Sequence, residues 1–336
     1  MKEINQLDLF SGIGGFHLGF ERAGFKVNSY FSEVDKHAVA VYKHQFKDST
    51  YVGSVTDVRG ADLPRIDLIT FGSPCQDFSL AGKRKGMGGE RSSLITEAIR
   101  LIHECRPRVF IWENVKGTFS SNNGADFWAI IQAFANIGGY RLEWQLLNTS
   151  WFLPQNRERI YLVGYSTKPG GDWRGVFPIG EDNKPNDGVQ RQVSKTLTCR
   201  YTADSNGSFL ITNQQSADYI KVKSATSKGY EVATEGDSIN LSQPNSETRR
   251  GRVGKGKAQT LETSCNQAAV QDYRIRRLTP IECERLQGFP DNHTEYGNYD
   301  GEVKKMSNTQ RYKQCGNAVT TDVVQAIAEK IKPLFK

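Results

Sequence analysis

The chain contains no CxxC pair. Its six cysteines, Cys75, Cys105, Cys199, Cys265, Cys283 and Cys315, stand well apart. Neither a zinc site nor a disulfide framework is expected, and a reducing cytoplasmic setting fits better. There is no run of about 18 apolar residues, which excludes a transmembrane helix, and mean hydropathy is −0.56. Met1–Phe10 has no basic stretch followed by an apolar one, so no secretory signal is expected. What is present fits a globular protein with a real core: 336 residues, 37% apolar, 10% aromatic and 24% charged. Lys and Arg number 44 against 37 Asp and Glu, a net charge of +7. That excess is compatible with a polyanionic partner without establishing one.

The first half alternates strands and helices. Asn5–Phe10 reads as a strand running into a Gly-rich turn, followed by a helix over Gly15–Ala23 with Gly24 as its stop. Val27–Phe31 and Ile66–Phe71 read as strands. Ser93–Cys105 has helical spacing at Leu94, Ala98 and Ile102, with Pro107 just beyond. Arg108–Trp112 is a strand, Asp126–Ile137 a helix, and Arg141–Leu147 and Arg159–Gly164 are strands. This alternation predicts a doubly wound α/β sheet with helices on both faces. From Thr167 to about Asp272 the chain becomes rich in Gly, Ser, Thr, Asn and Lys, with short strand-like pieces such as Ser208–Thr212. So long a structureless loop is unlike a compact domain, so a second, small and irregular domain is expected. Within it, Arg249 to Lys257 holds five cations and no acid, which suits either a solvated loop or a polyanion contact. Thr321–Ile331 has helical spacing again.

Four stretches can carry chemistry. The first is the turn Phe10-Ser11-Gly12-Ile13-Gly14-Gly15 after the first strand. It lacks the G-x-G-x-x-G spacing, because the third glycine directly follows the second. That disfavours a pyrophosphate and favours a nucleoside, with Glu33 at the end of the next strand placed for ribose hydroxyls; a plain strand–helix turn remains the simpler alternative. The second is Gly72-Ser73-Pro74-Cys75, following a strand whose carboxyl end is where α/β sheets bind ligands. Cys75 there suits a nucleophile, and equally a small buried hydrophobe. The basic, Gly-rich residues that follow, Ala81 to Arg91, suit a loop closing over a nucleic acid. The third is Glu113, at the end of the next strand: an acid, a hydrogen-bond partner or a solvated charge. The fourth is Pro154-Gln155-Asn156-Arg157-Glu158-Arg159, whose two arginines project to one side if the stretch is extended, or form a surface ion-pair cluster.

In this order and spacing the four stretches resemble the C5-cytosine-specific DNA methyltransferase family. The likeness covers about 165 N-terminal residues and about 60 C-terminal ones. It includes Arg91-Ser92-Ser93-Leu94, Arg276-Arg277-Leu278-Thr279-Pro280 with Glu282, Arg285-Leu286-Gln287-Gly288-Phe289-Pro290, and Tyr312-Lys313-Gln314-Cys315-Gly316-Asn317-Ala318-Val319. The resemblance implies a Rossmann-like class I methyltransferase sheet over residues 1–166. It implies a mostly β target recognition domain with hinge over 167–304, and a segment 305–336 returning to the first domain.

The resemblance also implies roles. Cys75 is the thiolate that adds to cytosine C6, Glu113 engages N3 and the exocyclic amine, Arg159 contacts O2, and Arg157 helps fix the site. S-adenosylmethionine is the donor and S-adenosylhomocysteine the product, with no metal. Phe10, Gly12, Ile13, Gly14, Gly15, Glu33, Val34, Ser54, Val55, Gly72, Pro74, Leu94, Asn317 and Val319 match the cofactor positions. Ser54 departs from the pattern, since the family usually has an acid there; a hydroxyl accepts more weakly than a carboxylate. Ser79, Lys83, Arg84, Lys85, Gln155, Arg249, Arg250, Arg252, Lys255, Lys257 and Thr260 are the expected contacts to duplex DNA. Thr260-Leu261 matches a Thr-Leu pair of the family's recognition domain better than Thr196-Leu197 does. The enzyme is expected to be a cytoplasmic monomer, nucleoid-associated on DNA, with no membrane partner and with a restriction endonuclease as a functional pair. An RNA (tRNA) methyltransferase is the alternative, disfavoured because RNA-acting relatives carry a reduced variable region. A catalytically dead regulator is disfavoured by the intact Cys75, Glu113, Arg157 and Arg159. A dinucleotide oxidoreductase leaves Cys75 and the arginines unexplained.

Overall fold

The structure is a computed structural model that describes residues 1–73, 94–167, 175–180, 219–243, 246, 248–272 and 274–335. The chain opens with β1 (Lys2–Leu9), α1 (Gly15–Arg22), β2 (Phe25–Ser32), α2 (Lys36–Gln45), β3 (Thr50–Tyr51) and β4 (Leu68–Gly72). There follow α3 (Leu94–Cys105), β5 (Val109–Val115), α4 (Ala125–Ala135), β6 (Tyr140–Asn148), β7 (Gln155–Asn156) and β8 (Glu158–Ser166). Seven strands make one sheet in the order β3-β2-β1-β4-β5-β8-β6. The first five run parallel, and β8 lies antiparallel between β5 and β6.

Strand alternation builds both faces. In β5, Val109 and Ile111 join one core with Phe16, Phe20, Val163, Val324 and Ile327. Phe110 and Trp112 join the other, with Ile95, Ala98, Ile102, Phe127 and Ile130. Period-2 burial therefore places α1 on one face and α3 and α4 on the other, as the doubly wound reading requires. The helix α2 had no counterpart in the sequence reading. Ala38 to Tyr42 are all buried, so the apolar residues form a block rather than a stripe, and helical periodicity is lost. Asp35 caps this helix by accepting from His37 N at 2.9 Å.

After the first sheet the described chain is mostly β. It contains β9 (Ile220–Lys223), β10 (Tyr230–Ala233), β11 (Ser238–Asn240), β12 (Val253–Gly254), β13 (Ala258–Gln259), β14 (Gln267–Gln271) and β15 (Arg274–Arg277). β9 and β10 form a hairpin, and β12-β11-β14-β15 an antiparallel sheet. Val222, Ala233, Ile239, Ala268 and Val270 give these strands a small core of their own. The strand-like piece Ser208–Thr212 lies outside the described residues.

The chain then forms α5 (Pro280–Leu286), the hairpin β16 (Tyr296–Tyr299) and β17 (Glu302–Lys305), α6 (Asn308–Asn317) and α7 (Thr321–Ile331). α5 starts on a capping box, Thr279 and Glu282, with Pro280 at its first position. β16 packs on α2 and α7 on α1. Gly19 sets the second contact, since a Cβ there would lie 2.5 Å from Val324 Cγ1. The last helix thus completes the core of the first sheet.

Candidate active site at the carboxyl edge of the sheet

The strand order changes direction between β1 and β4, and α/β sheets bind ligands beyond the strand ends at such a point. The turn leaving β1 is built on left-handed backbone: Phe10 at φ 51°, Gly12 at 53° and Gly14 at 83°. Among the described residues a Cβ on Gly12 would meet nothing within 4 Å, which leaves that backbone approachable by a ligand; one on Gly15 would lie 2.6 Å from Val319 Cγ2. The second contact seats the segment after α6 against the turn. Glu33, at the end of β2, accepts from Gly12 N at 2.9 Å, Val34 N at 2.8 Å and Asp35 N at 2.9 Å. Its carboxylate shapes the turn and still has acceptor capacity. Val34 beside it is 78% exposed, an apolar side chain with no core to fill. Val55 is buried, Ser54 half-buried and Asn317 exposed. Ile13 is buried in a cluster with Phe289 and Ala318, and Leu94 opens α3.

One strand further along, Gly72 pairs with Glu113 in the parallel register of β4 and β5. A Cβ on Gly72 would lie 3.1 Å from Glu113 Oε2, so only glycine leaves that carboxylate undisturbed. Ser73 is held three ways: its Oγ accepts from Trp112 Nε1 at 3.0 Å and Asn114 Nδ2 at 3.3 Å, and its carbonyl accepts from Asn114 Nδ2 at 3.2 Å. The chain is therefore pinned at the carboxyl end of β4, two residues before Cys75. Pro74, Cys75, Ser79, Lys83, Arg84 and Lys85 lie outside the described residues.

Glu113 faces Arg159 across the β5–β8 pair, with Arg159 Nε 3.1 Å from Glu113 Oε1. Only 15% and 11% of these two side chains is exposed, so the pair is shielded from bulk water. Arg157 points elsewhere. It is buried and donates to Gly316 O at 3.3 Å and Ala318 O at 2.8 Å. Burial first, and the nearby Arg159 charge second, lower its pKa to about 10. It is still charged at neutral pH, and it ties the arginine loop to the segment that carries Asn317 and Val319.

Gln155 makes the matching tie to the β-rich region. Fully buried, it donates to Leu286 O at 2.7 Å and accepts from Leu261 N at 3.1 Å. β7 and β13 pair in parallel beside it, and Thr260 Oγ1 donates to Asn156 O at 2.9 Å.

The family model for C-5 cytosine-specific DNA methylases matches residues 4–333. The chain is 33% identical over 334 residues to the Type II methyltransferase M1.ScrFI of Lactococcus lactis subsp. cremoris, covering 98% of this chain and 78% of that protein. It is 32% identical over 331 residues to the Type II methyltransferase M.NlaX of Neisseria lactamica, covering 97% and 95%. The chain belongs to the C-5 cytosine-specific DNA methylase family. It is a DNA (cytosine-5)-methyltransferase. The fold agrees: the S. pombe Dnmt2 methyltransferase superposes with a TM-score of 0.61 at 18% identity, over 98% of this chain and 99% of that one.

Among the described residues of this methyltransferase, no group of three or more His, Cys, Asp or Glu side chains could hold a metal, and no helix is long and apolar enough to cross a membrane. The basic run divides. Arg250, Lys255 and Lys257 are exposed and Arg249 half-buried. Lys255 reaches Asp237 Oδ2 at 2.6 Å and Arg250 donates to Ala225 O at 2.7 Å. Arg252 departs from the DNA-contact expectation. It is 2% exposed, and its guanidinium is spent on the carbonyls of Ser242, at 3.0 Å, and Gln243. Gln155 departs in the same way, since both ends of its amide are engaged inside the protein. Trp112, Asn114 and Ser73 were assigned no role from sequence, and only their convergence in space shows one.

Proposed function

We propose that this methyltransferase uses S-adenosylmethionine to methylate C5 of a flipped-out cytosine within a short specific site in duplex DNA. It serves restriction-modification or DNA protection and acts as a monomer, paired functionally with an endonuclease. The observation that carries this reading is the shielded Glu113–Arg159 pair at the end of β5, beside the pinned root of the segment bearing Cys75. The open turn at Gly12 and the carboxylate of Glu33 fit the donor: backbone a nucleoside can approach, next to an acceptor for ribose hydroxyls. Phe10, Ile13, Gly14, Gly15, Val34, Ser54, Val55, Gly72, Pro74, Leu94, Asn317 and Val319 complete the pocket in this reading. When bound, the donor supplies an electrophilic methyl sulfonium.

The chain's own groups do the rest. The target atom is inaccessible in a stacked duplex, so the base is flipped at a cost of a few kcal/mol, offset by pocket and backbone contacts. The Cys75 thiolate adds to C6, which gives C5 enamine character. Glu113 engages N3 and the exocyclic amine, and Arg159 the O2 edge. Their mutual contact holds each in place before the base arrives, so less ordering is left to binding. Arg157 acts one step back, holding the Gly316–Ala318 backbone against the same loop. Loss of the C5 proton then lets Cys75 leave.

Target reading is assigned to residues 167–272, with Arg249 and Arg250 at bases and Lys255 and Lys257 at phosphates. Ser79, Lys83, Arg84, Lys85 and Thr260 are assigned backbone contacts. A tritiated-methyl transfer assay on DNA and on tRNA, with Cys75→Ser alongside, tests the reading. Transfer to DNA alone, lost in the variant, supports it; transfer confined to tRNA, or near wild-type turnover by the variant, rejects it. Grafting 167–272 onto a related core should carry the target site with it.

A further inference from the structure

Ile13 stands just before Gly14, the cap of α1, so its carbonyl has no place in the helical ladder. It is met from the far end of the chain: His293 Nε2 lies 2.9 Å from Ile13 O. A carbonyl only accepts, so Nε2 carries the proton and donates. The ring is buried, and burial lowers its pKa to about 4, against the bond to Ile13. A neutral imidazole therefore makes this bond at neutral pH. His293 also stacks on Phe289, with ring centroids 4.5 Å apart, and meets Phe46 edge-on. A Cβ on Gly14 would run into that same Phe46 ring.

The segment carrying His293 is built to hold it there. The buried carboxylate of Glu284, on α5, accepts from Asn292 N at 2.8 Å and Thr294 N at 2.9 Å, the two residues flanking His293, and from the Thr294 hydroxyl. Arg311 of α6 completes the cluster, with Nη2 2.9 Å from Glu284 Oε1 and Nε 3.0 Å from Thr294 Oγ1. Gln45, at the end of α2, donates to His293 O at 2.6 Å. Three helices thus fix one ring against one carbonyl of the turn after β1.

We propose that His293 is a positioning residue for the methyl donor: its bond to Ile13 O holds the β1–α1 turn in the conformation that binds S-adenosylmethionine. The inference rests on the cofactor reading above and deepens it. The turn needs left-handed backbone at Phe10, Gly12 and Gly14, so easier conformations are open to it once a restraint is lost. Without the His293 donor, the Ile13 carbonyl regains a partner only by turning toward water. The cofactor must then draw the turn back, and its apparent affinity falls with the fraction of molecules still in the binding conformation.

Calorimetric titration of the full chain with S-adenosylhomocysteine tests this without turnover. His293→Phe keeps the stacking ring and loses the donor, so Kd should rise about tenfold, the worth of one neutral hydrogen bond. His293→Gln supplies an amide donor and should bring Kd back to within about threefold of the wild type. In steady state His293→Phe should raise KM for S-adenosylmethionine by a similar factor with kcat within about twofold, because saturating cofactor restores the turn. A loss of packing alone would lower the melting temperature without that split. Histidine labelled with 15N gives a second reading on the wild type: the His293 Nε2–H signal, assigned by its absence from His293→Gln, should shift when S-adenosylhomocysteine is added. An unchanged Kd in folded His293→Phe, or kcat falling as far as kcat/KM, overturns the proposal. If that variant does not fold, a His293 signal indifferent to saturating S-adenosylhomocysteine overturns it instead. A folded wild type that binds no S-adenosylhomocysteine overturns the cofactor reading itself.

Discussion

Replacing Gly72 by alanine adds one methyl group and removes no chemical group, yet the structure predicts a catalytic loss. The new Cβ would sit 3.1 Å from Glu113 Oε2 and 3.9 Å from Glu113 O. The other carboxylate oxygen is held 3.1 Å from Arg159 Nε, so the side chain cannot simply swing away. Restoring ordinary van der Waals distance requires a displacement of roughly 0.3–0.5 Å. A misplacement of about 1 Å costs about 100-fold in rate, so this shift should lower kcat by about 3–10-fold, or about 1 kcal/mol of activation free energy. Gly72 has no positive φ in the structure, so the backbone itself accepts alanine and folding should be intact. Single-turnover methylation of a saturating DNA substrate, beside calorimetric binding of S-adenosylhomocysteine, separates the outcomes. A slower methyl-transfer step at saturating cofactor is expected, separate from any change in cofactor Kd. An unchanged rate with weakened cofactor binding would place Gly72 in the cofactor pocket alone and refute the argument.

Gln155→Ala should lower the melting temperature, because it orphans both Leu286 O and Leu261 N at about 1–3 kcal/mol each; differential scanning calorimetry measures this, and an unchanged Tm contradicts the buried tie. Arg252→Ala should also destabilise, without changing the methylated sequence. Arg249→Ala or Arg250→Ala should relax one position of the site in bisulfite maps, a bidentate arginine–guanine pair being worth about 1–3 kcal/mol of discrimination. Lys255→Ala and Lys257→Ala should each flatten the salt dependence of DNA binding by about one unit if each meets a phosphate. Asp8, buried in β1, has its pKa raised to about 8, chiefly by desolvation and against hydrogen bonds from Thr70 and Tyr42. A carboxyl whose folded pKa is raised contributes stability that is complete below its unfolded pKa and is lost as pH rises through the folded value. Stability should thus decline from about pH 4 to pH 8 through this group, and Asp8→Asn should flatten that decline in pH-dependent denaturation curves.

The first sheet was legible because its strands alternate cleanly: β5 sends Val109 and Ile111 to one core and Phe110 and Trp112 to the other. The candidate site residues stood out as types at spacings, but their partners did not. Gln155 meets groups 131 and 106 residues away, and nothing in a stretch that also holds two arginines marks it as buried. Arg252 sits in a run of cations whose composition is uniform. It turns inward because Val253 pairs with Ile239 and the neighbouring carbonyls of Ser242 and Gln243 lie within reach. The two-residue pairing of β7 with β13 leaves no periodicity to read. α2 was hidden by a solid apolar block. What the sequence could not supply was distance, and distance decides whether a polar residue faces ligand or protein.

Covalent addition of Cys75 to the C6 atom of a flipped cytosine can be trapped on a duplex carrying 5-fluorocytosine at the mapped target position. Fluorine cannot leave as a cation, so elimination stalls and the adduct persists. The account predicts an SDS-resistant protein–DNA band that needs S-adenosylmethionine for full formation. Peptide mapping should place the link on Cys75, and Cys75→Ser should form no band. No band from enzyme that methylates the unfluorinated duplex, or a link mapped to another residue, would contradict it.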